Sequence, residues 1–97
     1  MNIQGQAAIV TGGASGLGEA TARELARLGA KVAVFDVNAE LAAQVAADLN
    51  AQHGEGTAVA CACDITNPDS VTAALAAAAQ AHGPARILLN IAGIGTA

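Results

Sequence analysis

Hydrophobic residues fall into four short runs, separated by longer stretches in which they recur at a helical interval. Ala7-Ala8-Ile9-Val10 is apolar and ends on β-branched residues, the pattern of a buried parallel strand. Beyond it, Leu17, Ala20, Thr21, Leu25 and Leu28 recur near helical spacing, with Glu19, Arg23, Glu24 and Arg27 on the other side. A helix therefore begins inside the glycines that follow the first strand, and Gly29 stands at its expected C′ position. Val32-Ala33-Val34-Phe35 is a second strand, ending on Asp36. Ala39 to Gln52, with Leu41, Val45, Ala46 and Leu49 on one stripe, predicts a second helix stopped by His53-Gly54. Thr57 to Cys63 reads as a third strand. Asn67 as N-cap, Pro68 at the first helical position and Asp69 in the first turn open a third helix. That helix continues through Val71, Leu75 and a row of alanines to His82, where Gly83-Pro84 ends it. Arg86 to Asn90 is the fourth strand, and Ile91 to Gly95 leaves its carboxyl end.

The order β-α-β-α-β-α-β predicts an α/β fold of the doubly wound, Rossmann type: a parallel sheet with right-handed crossovers and helices on both faces. Ligands of such sheets sit at the carboxyl ends of the strands. Here those ends carry Gly12 to Gly18, Asp36, Asp64-Ile65 and Asn90 to Gly95, so four segments converge on one crevice. No repeat or linker interrupts the pattern.

Composition narrows the partners. Ninety-seven residues make one domain at most, and 54% hydrophobic with 12% charged residues excludes disorder. With Phe35 the single aromatic residue, alanine, valine and leucine must fill the core. A net charge of −4 without any basic stretch argues against nucleic acid and favours a small-molecule substrate. The amino terminus lacks a basic segment before an apolar one, and no apolar run reaches the ~18 residues of a membrane span, so no membrane association and a cytoplasmic location are expected. Cys61 and Cys63 alternate along a strand and share a face; without further ligands nearby they read as small core residues, and no metal site is expected. His53 and His82, near helix ends, suit the negative end of the helix dipole.

The glycine turn carries the chemistry. The first N–H groups of a helix lack internal partners and bear the positive end of its dipole, and a diphosphate satisfies both. Gly12 serves the sharp turn out of the strand, Gly16 the approach of backbone to phosphate, and Gly18 the close packing of helix on sheet, while Ser15 offers a hydroxyl to phosphate or ribose. The dipole effect is only ~0.3–2 kcal/mol, so the rest of the ligand must be held elsewhere. Asp36 lies about 20 residues on, where a dinucleotide site places an acid on the adenosine ribose. A carboxylate that accepts from ribose hydroxyls would repel a 2′-phosphate, by ~4 kcal/mol per unit pair at 4 Å and an effective dielectric of 20. Ala14, Ser15 and Val37 supply no basic side chain to offset this, so NAD is expected over NADP.

Together these residues resemble the short-chain dehydrogenases/reductases. Thr11-Gly12-x-x-x-Gly16-x-Gly18 has that family's spacing, followed in family order by Asp36, Asp64-Ile65 and Asn90-x-Ala92-Gly93. The resemblance implies that Gly12, Ser15, Gly16, Leu17 and Gly18 hold the pyrophosphate and that Asp36 bonds the adenosine ribose. It also implies that Asp64 and Ile65 flank the adenine, and that Asn90, Ala92 and Gly93 lie beside cofactor and sheet. On the residues alone, Asp64 reads as readily as a turn or cap residue, and Asn90 leans towards a structural role, bonding backbone across the sheet. Ile91 stands where the family usually has a second asparagine. The glycine run, with Ala20-Thr21-Ala22 and Asn90-x-Ala92-Gly93-Ile94, looks most like the type-2 3-hydroxyacyl-CoA dehydrogenases.

The resemblance covers only the amino-terminal part of the family's domain. The family's catalytic serine, Tyr-x-x-x-Lys pair and further asparagine fall beyond it; the chain has no tyrosine, and its one lysine, Lys31, opens the second strand away from the crevice. The expectation is therefore the cofactor-binding portion of a homo-oligomeric, NAD-dependent oxidoreductase that interconverts a secondary alcohol and a ketone, with no catalytic residue among these. A fourth strand left as an apolar edge agrees with a larger domain. The alternative is a non-catalytic NAD(H)-binding or sensing protein of the same fold.

Overall fold

The computed structural model describes residues 2–91. Strands β1 (Ala7–Thr11), β2 (Lys31–Asp36), β3 (Ala58–Ala62) and β4 (Ile87–Asn90) alternate with helices α1 (Gly16–Arg27), α2 (Ala39–His53) and α3 (Pro68–His82). All strand pairs are parallel and the sheet order is β3-β2-β1-β4. β1 is flanked on both sides, with Thr11 level with Phe35 of β2 and with Asn90 of β4. This register brings the β1–α1 turn, Asp36 and Asn90 to one end of the sheet.

The strand period of two sorts side chains between two cores. On one face Ala8, Val10, Val32 and Val34 pack with Ala22 and Ala26 of α1 and Val45 and Leu49 of α2. On the other, Ile9, Ala33, Phe35, Cys61 and Cys63 pack with Ala74 and Ala78 of α3. The sheet is thus wound with helices on both faces, and the two cysteines share a face as their alternation requires.

The α2 stripe is buried as expected at Val45, Ala46 and Leu49, and the helix stripes depart from the sequence expectation at particular leucines. α1 buries Gly18, Ala22 and Ala26, whereas Leu17 and Leu28 are exposed. In α2 Ala42 takes the buried place expected for Leu41, and in α3 Ala74 and Ala78 do so while Leu75 stays exposed. In α1 and α3 a short methyl face lets the helix lie close to a sheet of small residues, with Leu17, Leu28 and Leu75 outside the contact line, whereas α2 also buries Val45 and Leu49. Asn50 ties α2 to the start of β3 in both directions: its Nδ2 donates to the Ala58 carbonyl (3.0 Å), and its Oδ1 accepts from the Ala58 N–H (2.8 Å).

The two faces are not equally covered. The α3 face leaves a cavity of about 270 Å³ lined by Ile9, Phe35, Val71, Leu75 and Leu88, and Leu88 on β4 is 64% exposed.

Candidate functional site

The site is built on the turn between β1 and α1. Gly12 and Gly16 adopt positive φ, +68° and +57°, which a side chain resists. Space beside Gly16 is open, since a Cβ there would meet nothing within 4 Å, so its backbone is approachable from outside. Gly18 is different. A Cβ on it would stand 1.8 Å from the Gly12 carbonyl oxygen. The close packing expected between helix and sheet is therefore a contact of the helix with its own turn, and the missing side chain lets the turn fold tightly over the first residues of α1. Ser15 is the N-cap residue of α1, in extended conformation, but its side chain makes no capping bond and is exposed. Leu17 is also exposed, on the rim of the turn.

Asp36, at the carboxyl end of β2, is the hub beside that turn. Its Oδ2 accepts from the Ala14 N–H (3.1 Å) and its Oδ1 from the Asn38 N–H (2.9 Å). Its carbonyl accepts from the Cys63 N–H (3.0 Å), and the neighbouring Phe35 carbonyl from the Gly13 N–H (3.1 Å). A cleft of about 340 Å³ opens here, lined by Gly12, Asp36, Val37, Asp64, Ile65 and Thr66 among others, with no basic residue among the described residues of its wall. Gly12, Asp36, Asp64 and Ile65 thus share one concavity, as the convergence of strand ends requires.

Asp64 is fully exposed and its Oδ1 accepts from both the backbone N–H (3.0 Å) and the hydroxyl (2.6 Å) of Thr66. The hydroxyl bond first, and the backbone bond second, hold its carboxyl below the usual aspartate value. It is thus a turn residue that also forms a wall of the cleft. Asn90 is engaged in the sheet: its Oδ1 accepts from the Thr11 hydroxyl at 2.8 Å, across the β1–β4 pair. The bond across the sheet is structural, as its residue type leaned, but its partner is a side-chain hydroxyl and not the backbone. Ala92 and Gly93 lie outside the described residues.

Two residues of the turn carry no sequence signal for the part they play. A Cβ on Gly13 would sit 3.0 Å from Val34 Cγ1 and 3.1 Å from the Val10 carbonyl oxygen, so this glycine lets the turn press on β2. Ala14 is buried and supplies the N–H that Asp36 accepts. Neither could be found from spacing, because each depends on a strand about twenty residues away.

Among the described residues no group of His, Cys, Asp and Glu could hold a metal ion, and no helix is long and apolar enough to cross a membrane. Cys61 and Cys63 are buried free thiols, and burial first, then the neighbouring Cys63, pushes the Cys61 thiol up, away from reactivity.

The short chain dehydrogenase family model matches residues 6–97. The chain belongs to this family. Among similar proteins, 2,5-dichloro-2,5-cyclohexadiene-1,4-diol dehydrogenase of Sphingobium indicum is 44% identical over 92 residues, covering 95% of this chain and 36% of that protein. A 3-oxoacyl-(acyl-carrier-protein) reductase of Vibrio cholerae is 40% identical over 94 residues, covering 97% of this chain and 36% of the relative. Among solved structures, a 3-ketoacyl-(acyl-carrier-protein) reductase from Brucella melitensis complexed with NADH superposes with a TM-score of 0.81 at 37% identity, over 89% of this chain and 34% of that one. The chain thus spans about a third of the length of these relatives. As a short-chain dehydrogenase sequence it corresponds to one portion of a larger Rossmann-type domain.

Proposed function

We propose that this chain is the cofactor-binding portion of an NAD-dependent oxidoreductase that interconverts a secondary alcohol and a ketone. The observation that carries the reading is a cleft in which Gly12 of the glycine turn meets Asp36, with no cationic side chain among the described residues of its wall. The residues fit a dinucleotide: Gly16 leaves open space for a phosphate, Ser15 keeps its hydroxyl free of capping, and Asp36 retains acceptor capacity beyond its two backbone bonds. Gly12, Ser15, Gly16, Leu17 and Gly18 would hold the pyrophosphate, Asp36 the adenosine ribose, and Asp64 and Ile65 the sides of the adenine. The cofactor's nicotinamide supplies the hydride chemistry when bound. These residues bind and orient it, and the proton-transferring groups of the family belong to segments other than these.

Family membership and the NADH complex of the Brucella reductase support a nicotinamide cofactor. The choice of NAD rests on Asp36, whose charge opposes a 2′-phosphate. For the substrate we favour a 3-hydroxyacyl thioester. The likeness of the glycine run to type-2 3-hydroxyacyl-CoA dehydrogenases supports this, as does similarity to a reductase of acyl-carrier thioesters. By the same family resemblance the intact enzyme is a homo-oligomer.

The test is calorimetric titration of the full-length protein with NADH and NADPH, followed by assay of NAD-linked oxidation of 3-hydroxyacyl thioesters. NADH should bind at least about tenfold more tightly, equivalent to about 1.4 kcal/mol. Equal or reversed preference would remove the assigned role of Asp36. Tight NADH binding without turnover of any secondary alcohol would favour the sensing alternative.

A further inference from the structure

Asp36 does more in this structure than stand at the end of a strand. Each carboxylate oxygen already holds a backbone N–H: Oδ2 that of Ala14 in the glycine turn, and Oδ1 that of Asn38, the N-cap residue of α2. Ala14 is followed directly by Ser15 and Gly16, where the turn becomes α1. The same residue's carbonyl accepts from Cys63 at the end of β3. One side chain and its backbone thus link three of the segments that wall the cleft.

Resting on the NAD-binding reading above, we infer that Asp36 is also a positioning residue for the diphosphate: by accepting the Ala14 N–H it fixes the glycine turn in its binding shape, independently of any bond to ribose. The turn needs such a fixture. Gly12 and Gly16 give it backbone freedom, and the N-cap side chain of α1 does not tie its far end. The carboxylate bond restricts the turn from the β2 side, while the Gly13 N–H to Phe35 carbonyl bond acts one residue earlier. Ribose and diphosphate subsites then share a residue, so an adenosine ribose engaging Asp36 engages a group already bonded to the phosphate turn.

Two contributions of Asp36 to phosphate affinity have opposite sign, which makes the inference decidable. Its negative charge repels a diphosphate, so removing the charge should tighten binding of a ligand without ribose hydroxyls. Its bond to Ala14 holds the turn, so removing that bond should weaken the same ligand. The probe is 2′,3′-dideoxyadenosine 5′-diphosphate, titrated against full-length parent and Asp36→Ala, with ADP and NADH as references. The expected result is a loss of about fivefold or more for the dideoxy ligand, together with faster hydrogen exchange at the Ala14 amide while the Val10 and Val34 amides are unchanged. Unchanged or tighter binding of the dideoxy ligand would overturn the positioning role and leave the ribose role intact. Failure of the parent to bind ADP or NADH would overturn the NAD reading itself. Should Asp36→Ala not fold, exchange in the parent decides: an Ala14 amide as labile as an exposed loop amide would overturn the inference, and a protected one would support it.

Discussion

Three helices start at the carboxyl end of this sheet, and they start in two ways. α2 and α3 are closed by asparagine: Asn38 Oδ1 accepts from the Leu41 N–H at 3.0 Å, and Asn67 Oδ1 accepts from the N–H groups of Asp69 and Ser70 at 3.0 and 3.3 Å. α1 has serine at the same position, a residue as apt for the task, and its side chain makes no such bond. A side-chain cap contributes about 1 kcal/mol, so a helix that forgoes it leaves donors for something else. The difference teaches where to look: a start tied by its own side chain is structural, and the start left open is the one to which we assign the ligand.

The sharpest way to break this contrast is Gly18→Ala. The added methyl would lie 1.8 Å from the Gly12 carbonyl oxygen, so the turn must move. A cost of about 2–3 kcal/mol is expected, read as a lower denaturation midpoint, along with loss of measurable NADH binding. Parental affinity in the Gly18→Ala variant would mean that the tight turn is not what binds. Asn67→Ala should cost about 1 kcal/mol of stability by loss of the α3 cap, with NADH affinity unchanged within about a factor of two. Ser15→Ala should do the reverse: stability within ~0.5 kcal/mol of the parent, and NADH affinity lowered about threefold to tenfold, the range of one neutral hydrogen bond. If Ser15→Ala destabilises as Asn67→Ala does, the two kinds of start are not distinct.

The smallest effect sits at the other end of α3. His82 has both ring nitrogens buried without a well-formed hydrogen bond, and burial pushes its imidazole below the ordinary value of 6.5, against a backbone contact with Gly56 and with help from Lys31. The unfolded chain therefore takes up this proton first as the pH falls. Stability should be full above the ordinary histidine range and decline as the pH drops through it, and His82→Gln should flatten that part of a denaturation-against-pH profile without altering NADH affinity at neutral pH.

Much of this is legible in the residues. Each strand and helix follows from runs, caps and glycine stops, and the gathering of Gly12, Asp36, Asp64 and Ile65 follows from parallel topology. What escapes a sequence reading depends on contacts between distant segments. Spacing finds Val45, Ala46 and Leu49 of α2, yet in α1 and α3 alanines rather than leucines occupy the contact line, because hydrophobicity alone does not say how closely a helix approaches. Gly13 and Ala14 carry no motif, and their roles appear only when β2 lies beside the turn. Asn90 is legible in kind but not in partner, since Thr11 is 79 residues away.

That separation bears on the order of folding. β1 pairs on one side with β2, reached through a single helix, and on the other with β4, at the far end of the described chain. Closing a loop roughly threefold longer costs about 1 kcal/mol more in chain entropy, so the β1–α1–β2 unit is the easier nucleus and β4 the later arrival. The glycine turn and its Asp36 bond belong wholly to that early unit. A kinetic experiment should then find native protection at Ala14 ahead of protection in β4, with the Thr11–Asn90 bond among the last to close.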